Sequence, residues 1–194
     1  MKKIYLINIL ILSFVLIGCN PISIYNTIVE KEEAVNAAWA QVENQYQRRM
    51  DLIPQLVEVV KGYAKHEKET LESVIKMRSQ ATQMVVTKEV LEDPVAFEKF
   101  QKMQGELSSA LSRLMAITEN YPELKANENF LALQAQIEGT ENRISVERRR
   151  YNEAVQDYNT YIRKFPNFLF KGDAKPKQMF KAQSGAEKAP DIKF

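Results

Sequence analysis

The sequence predicts an all-α protein: an antiparallel up-and-down four-helix bundle with long helices and an irregular C-terminal tail. Three observations predict it. Apolar residues recur at spacings of three, four and seven through residues 25–166, which marks one face of a helix. No segment alternates convincingly at period two, as a half-buried strand would. Helix breakers are sparse: Pro54, Pro94 and Pro122 are the prolines of the middle stretch, and Gly62, Gly105 and Gly139 the glycines between Cys19 and residue 170.

The first stripe runs Ile28, Val35, Trp39, Val42, Tyr46, Ile53, Val57, Val60. The break near Gly62 is the weakest, so the first two helices read either as separate elements or as one rod. A second stripe runs Leu71, Val74, Ile75, Arg78, Ala81, Val85. Asp93-Pro94 reads as an N-cap followed by proline at the first helical position, where its missing N–H costs nothing. The third stripe is Phe97, Phe100, Met103, Leu107, Leu111, Leu114, Ile117. Tyr121-Pro122 ends it, because the residue before proline is pushed out of the α region. The last stripe is Phe130, Leu133, Ile137, Ile144, Tyr151, Val155, Tyr158, Ile162, Phe165, closed by Pro166. Short connections between such helices favour antiparallel neighbours. Residues 167–194, with their lysines, Pro176, Pro190 and the island Phe168-Leu169-Phe170, read as an irregular tail partly docked through its aromatics.

The N-terminus adds a targeting segment. Lys2 and Lys3 precede an apolar run from Ile4 to Leu16, too short for the roughly 20 residues that span a bilayer and suited to a secretory signal. It ends Leu16-Ile17-Gly18-Cys19, which resembles a bacterial lipobox. Cys19 is also the chain's one cysteine, so it has no internal disulfide partner, and thioether lipidation accounts for it. The alternative is an uncleaved signal anchor with an incidental cysteine. The lipoprotein reading divides the chain into a signal peptide 1–18, a lipidated tether 19–24, a bundle 25–166 and the tail 167–194. Several acyl chains then hold the protein to a membrane at about 0.8 kcal/mol per buried methylene.

Charge excludes some classes. Removing residues 1–18 takes away Lys2 and Lys3 and no acid, leaving 25 basic and 25 acidic side chains. A nucleic-acid binder usually shows a basic excess, so no nucleic-acid partner is expected. Adhesion to anionic lipid driven by net charge is disfavoured on the same ground.

Two groups of motifs carry a family resemblance. Tyr25-Asn26, Trp39, Arg48-Arg49, Asp51-Leu52-Ile53-Pro54, Lys61-Gly62-Tyr63 and His66-Glu67 resemble the N-terminal signature of the LemA family. Glu138-Gly139-Thr140-Glu141-Asn142-Arg143-Ile144, Arg148-Arg149, Tyr151-Asn152, Tyr158-Asn159 and Phe165-Pro166 resemble its C-terminal signature. The resemblance implies a membrane-tethered helical bundle outside the bacterial cytoplasm, with no established catalytic activity. It also implies envelope partners of the TPM-domain or membrane-metallopeptidase type, and a relative that acts in building magnetosome membranes. Many members keep an uncleaved transmembrane helix where this chain has its lipobox. Asn20 is not the aspartate that favours inner-membrane retention. A Gram-negative host therefore predicts the outer membrane facing the periplasm, and a Gram-positive host the outer face of the plasma membrane.

Catalytic chemistry finds no support in the residues. His66-Glu67-Lys68-Glu69-Thr70 begins like His-Glu-x-x-His, but Thr70 occupies the second ligand position. A di-iron bundle wants two Glu-x-x-His pairs, and His66 is the chain's one histidine. No serine lies in a Gly-x-Ser-x-Gly turn. The expectation is no catalytic residue, no metal and no cofactor.

The charged residues within the stripes suggest structure instead. If the first and last helices pair with Gly62 near Asn127, facing residue numbers total about 189. Arg48 and Arg49 then face Glu141 and Thr140, and Arg78 and Glu106 fall at a similar height. These five charged residues form a candidate polar layer that fixes register, with solvated helix faces as the alternative. Pro54 gives such a group a task, because it cannot donate to the carbonyl of Met50. Tyr151-Asn152 and Tyr158-Asn159 read as core tyrosines with flanking amides that hold a neighbouring helix. A helix over residues 25–62 would carry the far turns roughly 55 Å from the membrane, which makes Tyr63, His66 and Tyr121 a candidate partner-contact tip. The expected function is a non-enzymatic scaffold or adaptor. The rivals are a membrane-shaping homo-oligomer and an accessory subunit of an envelope enzyme.

Overall fold

The computed structural model describes residues 21–84 and 86–181. Residues 1–20, with the signal segment, Cys19 and Asn20, lie outside the described residues, as do Val85 and residues 182–194. Six helices follow in order: α1 Pro21–Tyr63, α2 Lys68–Gln83, α3 Lys88–Glu92, α4 Pro94–Thr118, α5 Pro122–Lys125 and α6 Glu128–Arg163. A 3₁₀ turn at Asn167–Leu169 and an extended tail complete the described chain.

The fold is all-α, with four long helices. α1 begins at Pro21, so residues 21–24 of the expected tether are already helical, and Ile24 is buried. α1 ends at Tyr63 and the chain turns through Ala64–Glu67, which makes the first two helices separate elements. Asp93 caps α4 by accepting from the amides of Val95 and Ala96 at 2.7 and 3.2 Å. Asn127 caps α6 through the amide of Phe130 at 3.0 Å. Each cap satisfies an amide that the first turn of a helix leaves without a partner.

α1 and α6 are antiparallel along nearly their whole length. Lys31 meets Asp157, Arg49 meets Glu141, and Tyr63 meets Asn127, so one register holds from end to end. α2 pairs with α4 and leans on α1. α2 has 16 residues against 43 in α1, so four long helices coexist only in the half farther from the N-terminus. In the nearer half, α3 and the extended tail cover the side that α2 leaves open.

Two apolar clusters result. The distal one gathers Ile53, Leu56, Val60, Val74, Leu107, Leu114, Phe130 and their neighbours. The proximal one gathers Val35, Trp39, Val42, Phe97, Phe100, Tyr151, Tyr158 and Phe180. Most described stripe positions are buried; Arg78, Met103 and Ile117 are half-buried, and Ile75 at 51% and Phe165 at 79% are exposed. Phe165 is a correction: Lys164 is already extended at ψ 147° before Phe165-Pro166, so the helical face that would have carried Phe165 inward has ended.

Candidate functional sites

Arg49 stands between the two clusters, and its side chain is 1% exposed. Its Nη1 donates to Glu141 Oε1 at 2.7 Å and to Ser108 Oγ at 2.8 Å, and its Nη2 donates to Gln104 Oε1. Ser108 also donates to the Glu141 carboxylate. One guanidinium therefore ties α1, α4 and α6 together, and its fork suits that task. The ring of Tyr46 lies 5.2 Å from the guanidinium carbon, and burial pushes its phenol above the ordinary value. A desolvated ion pair contributes little net stability but penalises any slip that separates the partners.

Arg78 meets a different demand. Its Nε donates to the carbonyl of Met50 at 2.9 Å. Pro54, inside α1, has no N–H to offer that carbonyl. α2 is thus fastened to α1 through the defect that proline creates.

Two expected members of the layer stand outside it. Arg48 is exposed, because one residue along a helix is a rotation of about 100° away from Arg49. Glu106 is also exposed and lies 4.0 Å from Lys102 on the outer surface of α4; Gln104, two positions earlier, takes the inward place. Gln104 and Ser108 carry no signal in the apolar spacing, since an uncharged polar residue at an inward position looks like any break in a stripe.

The tail forms the second site. Asn159 donates to the carbonyl of Lys177 at 2.8 Å and accepts from its amide at 2.9 Å. Asn152 does the same for Phe180, at 2.9 and 2.8 Å. On α4, Gln101 brackets Lys181 in the same two-way fashion. Each side-chain amide thus imitates a neighbouring strand. The spacing follows from geometry: seven residues of helix rise about 10.5 Å, and three residues of extended chain about 10 Å. The amides of the two Tyr-Asn pairs therefore hold an extended strap, not a neighbouring helix as the sequence suggested.

Two side chains plug the strap into the bundle. Phe180 stacks on Trp39 at 6.0 Å and packs against Phe97 and Tyr151 at 5.0 and 5.5 Å. The Arg148 guanidinium covers it at 4.4 Å. The ammonium of Lys177 is fully enclosed and meets Glu92 at 2.7 Å and Glu32 at 3.1 Å, and Lys88 reaches Glu32 at 2.9 Å. Two lysines and two glutamates make a neutral quartet, which tolerates burial far better than a single charge. Burial pushes the Glu32 carboxyl up, but hydrogen bonds from Lys88 and Lys177 outweigh it and leave the group below its ordinary value. Burial pushes Tyr158 up to about 12. Of the aromatic island expected to dock, Phe170 packs half-buried against the proximal cluster, while Phe168 and Leu169 are 47% and 59% exposed. Lys177 and Phe180 could have been found only by asking what two asparagines seven apart on one helix would bind.

At the distal end, Asn127 donates to Tyr63 Oη at 3.0 Å, and Tyr121 Oη donates to Glu67 at 3.0 Å. That hydrogen bond, chiefly, raises the Tyr121 phenol above its ordinary value. The three tip residues therefore share one end; Tyr63 and His66 are exposed and Tyr121 half-buried. Among the described residues, no cluster of three His, Cys, Asp or Glu is placed to hold a metal ion, and no helix is long and apolar enough to cross a membrane.

These features define a class: an all-α rod whose longest helix pair is held in register by a buried arginine and closed by a C-terminal strap. The chain belongs to the LemA family, whose model matches residues 38–194. Among curated relatives it is similar to Magnetosome protein MamQ 2 of Paramagnetospirillum magneticum, at 26% identity over 162 residues, 75% of this chain and 60% of that protein. Magnetosome protein MamQ of Magnetospirillum gryphiswaldense is 27% identical over 158 residues, 73% of this chain and 58% of the relative. Protein LemA of Metamycoplasma hominis is 24% identical over 161 residues, 83% and 67% of the two chains. The chain thus spans about three fifths of the length of its magnetosome relatives.

Proposed function

We propose that this LemA-family protein is a membrane-anchored, non-enzymatic scaffold or adaptor of the bacterial envelope, held by lipid on Cys19, with its bundle outside the cytoplasm. The observation that carries the reading is the constant register of α1 against α6. It makes the pair a strut: 43 residues of α1 set its two ends roughly 65 Å apart. A protein anchored beside Pro21 presents its Tyr63, His66 and Tyr121 turns at that distance to partners in the same membrane. Envelope proteins of the TPM-domain or membrane-metallopeptidase type are the partners that the family resemblance suggests. Photo-crosslinkers placed in cells at positions 63 and 66 test this, with products identified by mass spectrometry. Adducts from both sites, absent from a mid-rod control at Arg48, support the reading. Adducts from Arg48 alone would sink it.

The magnetosome relatives favour a second reading, in which copies assemble laterally and shape the membrane that holds them. It predicts large oligomers without a partner and altered vesicle shape, visible by electron microscopy. A role as an accessory subunit of an envelope enzyme predicts copurification of an activity with the crosslinked partner.

A further inference from the structure

The proximal end of the rod carries apolar side chains that the fold leaves uncovered. Phe165 is 79% exposed, Leu169 59%, Tyr25 56% and Phe168 47%, and the rings of Phe165 and Phe168 lie 6.3 Å apart. The antiparallel register brings residue 25 of α1 to the height of residue 164, so all four belong to one end. Solitary exposed apolar residues are ordinary, but a group gathered at one end marks an interaction surface. The fold does not need these positions for its core, because the helical stripe closes at Ile162 and Phe180 fills the aromatic pocket beside Trp39. The same stretch of chain is basic: residues 163–175 carry Arg163, Lys164, Lys171 and Lys175, with Asp173 their single acid.

The chain itself says what covers this end. Only Asn20 separates Cys19 from Pro21, so at most about 7 Å of chain joins a lipid on that cysteine to the first residue of α1. Even an apolar run retained as far as Leu16 leaves no more than roughly 18 Å. Either anchor holds this end at the headgroup level, where aromatic and apolar side chains settle with lysines beside them.

We propose that Tyr25, Phe165, Phe168 and Leu169 form an interfacial collar that enters the outer edge of the bilayer, with Lys164 and Lys171 against anionic lipid headgroups. The collar rests on the membrane-anchoring reading above and adds a second attachment that fixes the angle of the rod. A net charge near zero does not forbid it, since residues 163–175 carry four cations and one acid. A single acyl chain or a single weak patch binds reversibly, and two combined signals bind firmly.

The test uses the full chain, reconstituted from membranes into vesicles of phosphatidylcholine and phosphatidylglycerol, the former brominated high on its acyl chains. Tryptophan is introduced as Phe168→Trp, and in a separate protein as Tyr63→Trp; buried Trp39 supplies the same background to both. The expected result is a blue-shifted emission from the position-168 probe, quenched by the brominated lipid, with the position-63 probe unquenched. A chain that sediments with vesicles while its position-168 probe stays unquenched overturns the collar and leaves the anchor standing. Equal quenching at both positions overturns the collar too, because the rod then lies flat. A chain that does not sediment with vesicles overturns the anchor and the collar together. Exchanging Phe165, Phe168 and Leu169 for serine, read by a Tyr25→Trp probe, must weaken the quenching relative to the same probe in the unexchanged chain, while helicity by circular dichroism is unchanged.

Discussion

Arg78 donates its Nε–H to the carbonyl oxygen of Met50, the oxygen that Pro54 leaves without its helical donor. A break in one helix is thereby turned into a bond to the next. The two residues and the proline form a thermodynamic cycle. Arg78→Ala strands a buried acceptor and is expected to destabilise the protein by about 1–3 kcal/mol. In a Pro54→Ala background the alanine amide can serve Met50 itself, so the same Arg78 change costs measurably less. Urea unfolding of the four proteins reads the difference directly, and equal costs in both backgrounds would remove the link.

The Arg49 cluster makes a sharper prediction about sign. Arg49→Ala leaves Gln104 buried without its partner and Glu141 without its cation. The expected loss is about 3 kcal/mol, the low end for a broken buried pair, because Glu141 keeps one-third of its surface in water. Replacing Arg49, Gln104 and Glu141 together by methionine or leucine should restore most of the stability. What the triple variant should lose is register specificity. Spin labels on α1 and α6 would report that as a broadened distance distribution.

The strap can be released without unfolding the rod. Asn152→Ala with Asn159→Ala removes four hydrogen bonds to the backbone of residues 177 and 180. Trypsin should then cut after Lys177 far faster than in the parent, whereas Lys175 is shielded in both by Pro176. Mass spectrometry identifies the cut, and circular dichroism should show helicity retained. Phe180→Ala is expected to cost about 3–5 kcal/mol, the usual range for emptying an aromatic site.

The strap should also respond to pH. Glu32 lies below its ordinary value of 4.5 in the folded protein. Its contribution is therefore complete above that value and is lost as pH falls through the lower folded value. Acid below pH 4.5 should loosen the strap, seen as faster amide exchange at Phe180, and Glu32→Gln should flatten that limb. Tyr158 carries the alkaline counterpart. Its phenol ionises near 10 unfolded and near 12 folded, so stability falls as pH rises between those values.

Much of this protein was determined by its sequence alone. Helical periodicity, the Asp93-Pro94 start and the scarcity of breakers decided an all-α bundle, because such signals are local and act within one or two turns. The α1–α6 register was also legible, since two long antiparallel helices with a short link leave few alignments. The expected register set Arg48 and Arg49 opposite Glu141 and Thr140, and Arg49 is the one that reaches Glu141. That register could not separate Arg49 from Arg48, or Gln104 from Glu106, because a rotation of one or two residues depends on how three helices close around one point. Nor could the sequence reveal where α2 would stop mattering and the strap take over. Lys177 and Phe180 lie in a segment without periodicity, and their partners are 18 to 145 residues away. Only the tertiary structure decided that pairing, because an extended chain has no internal hydrogen bonds and takes its conformation from the groove that satisfies them.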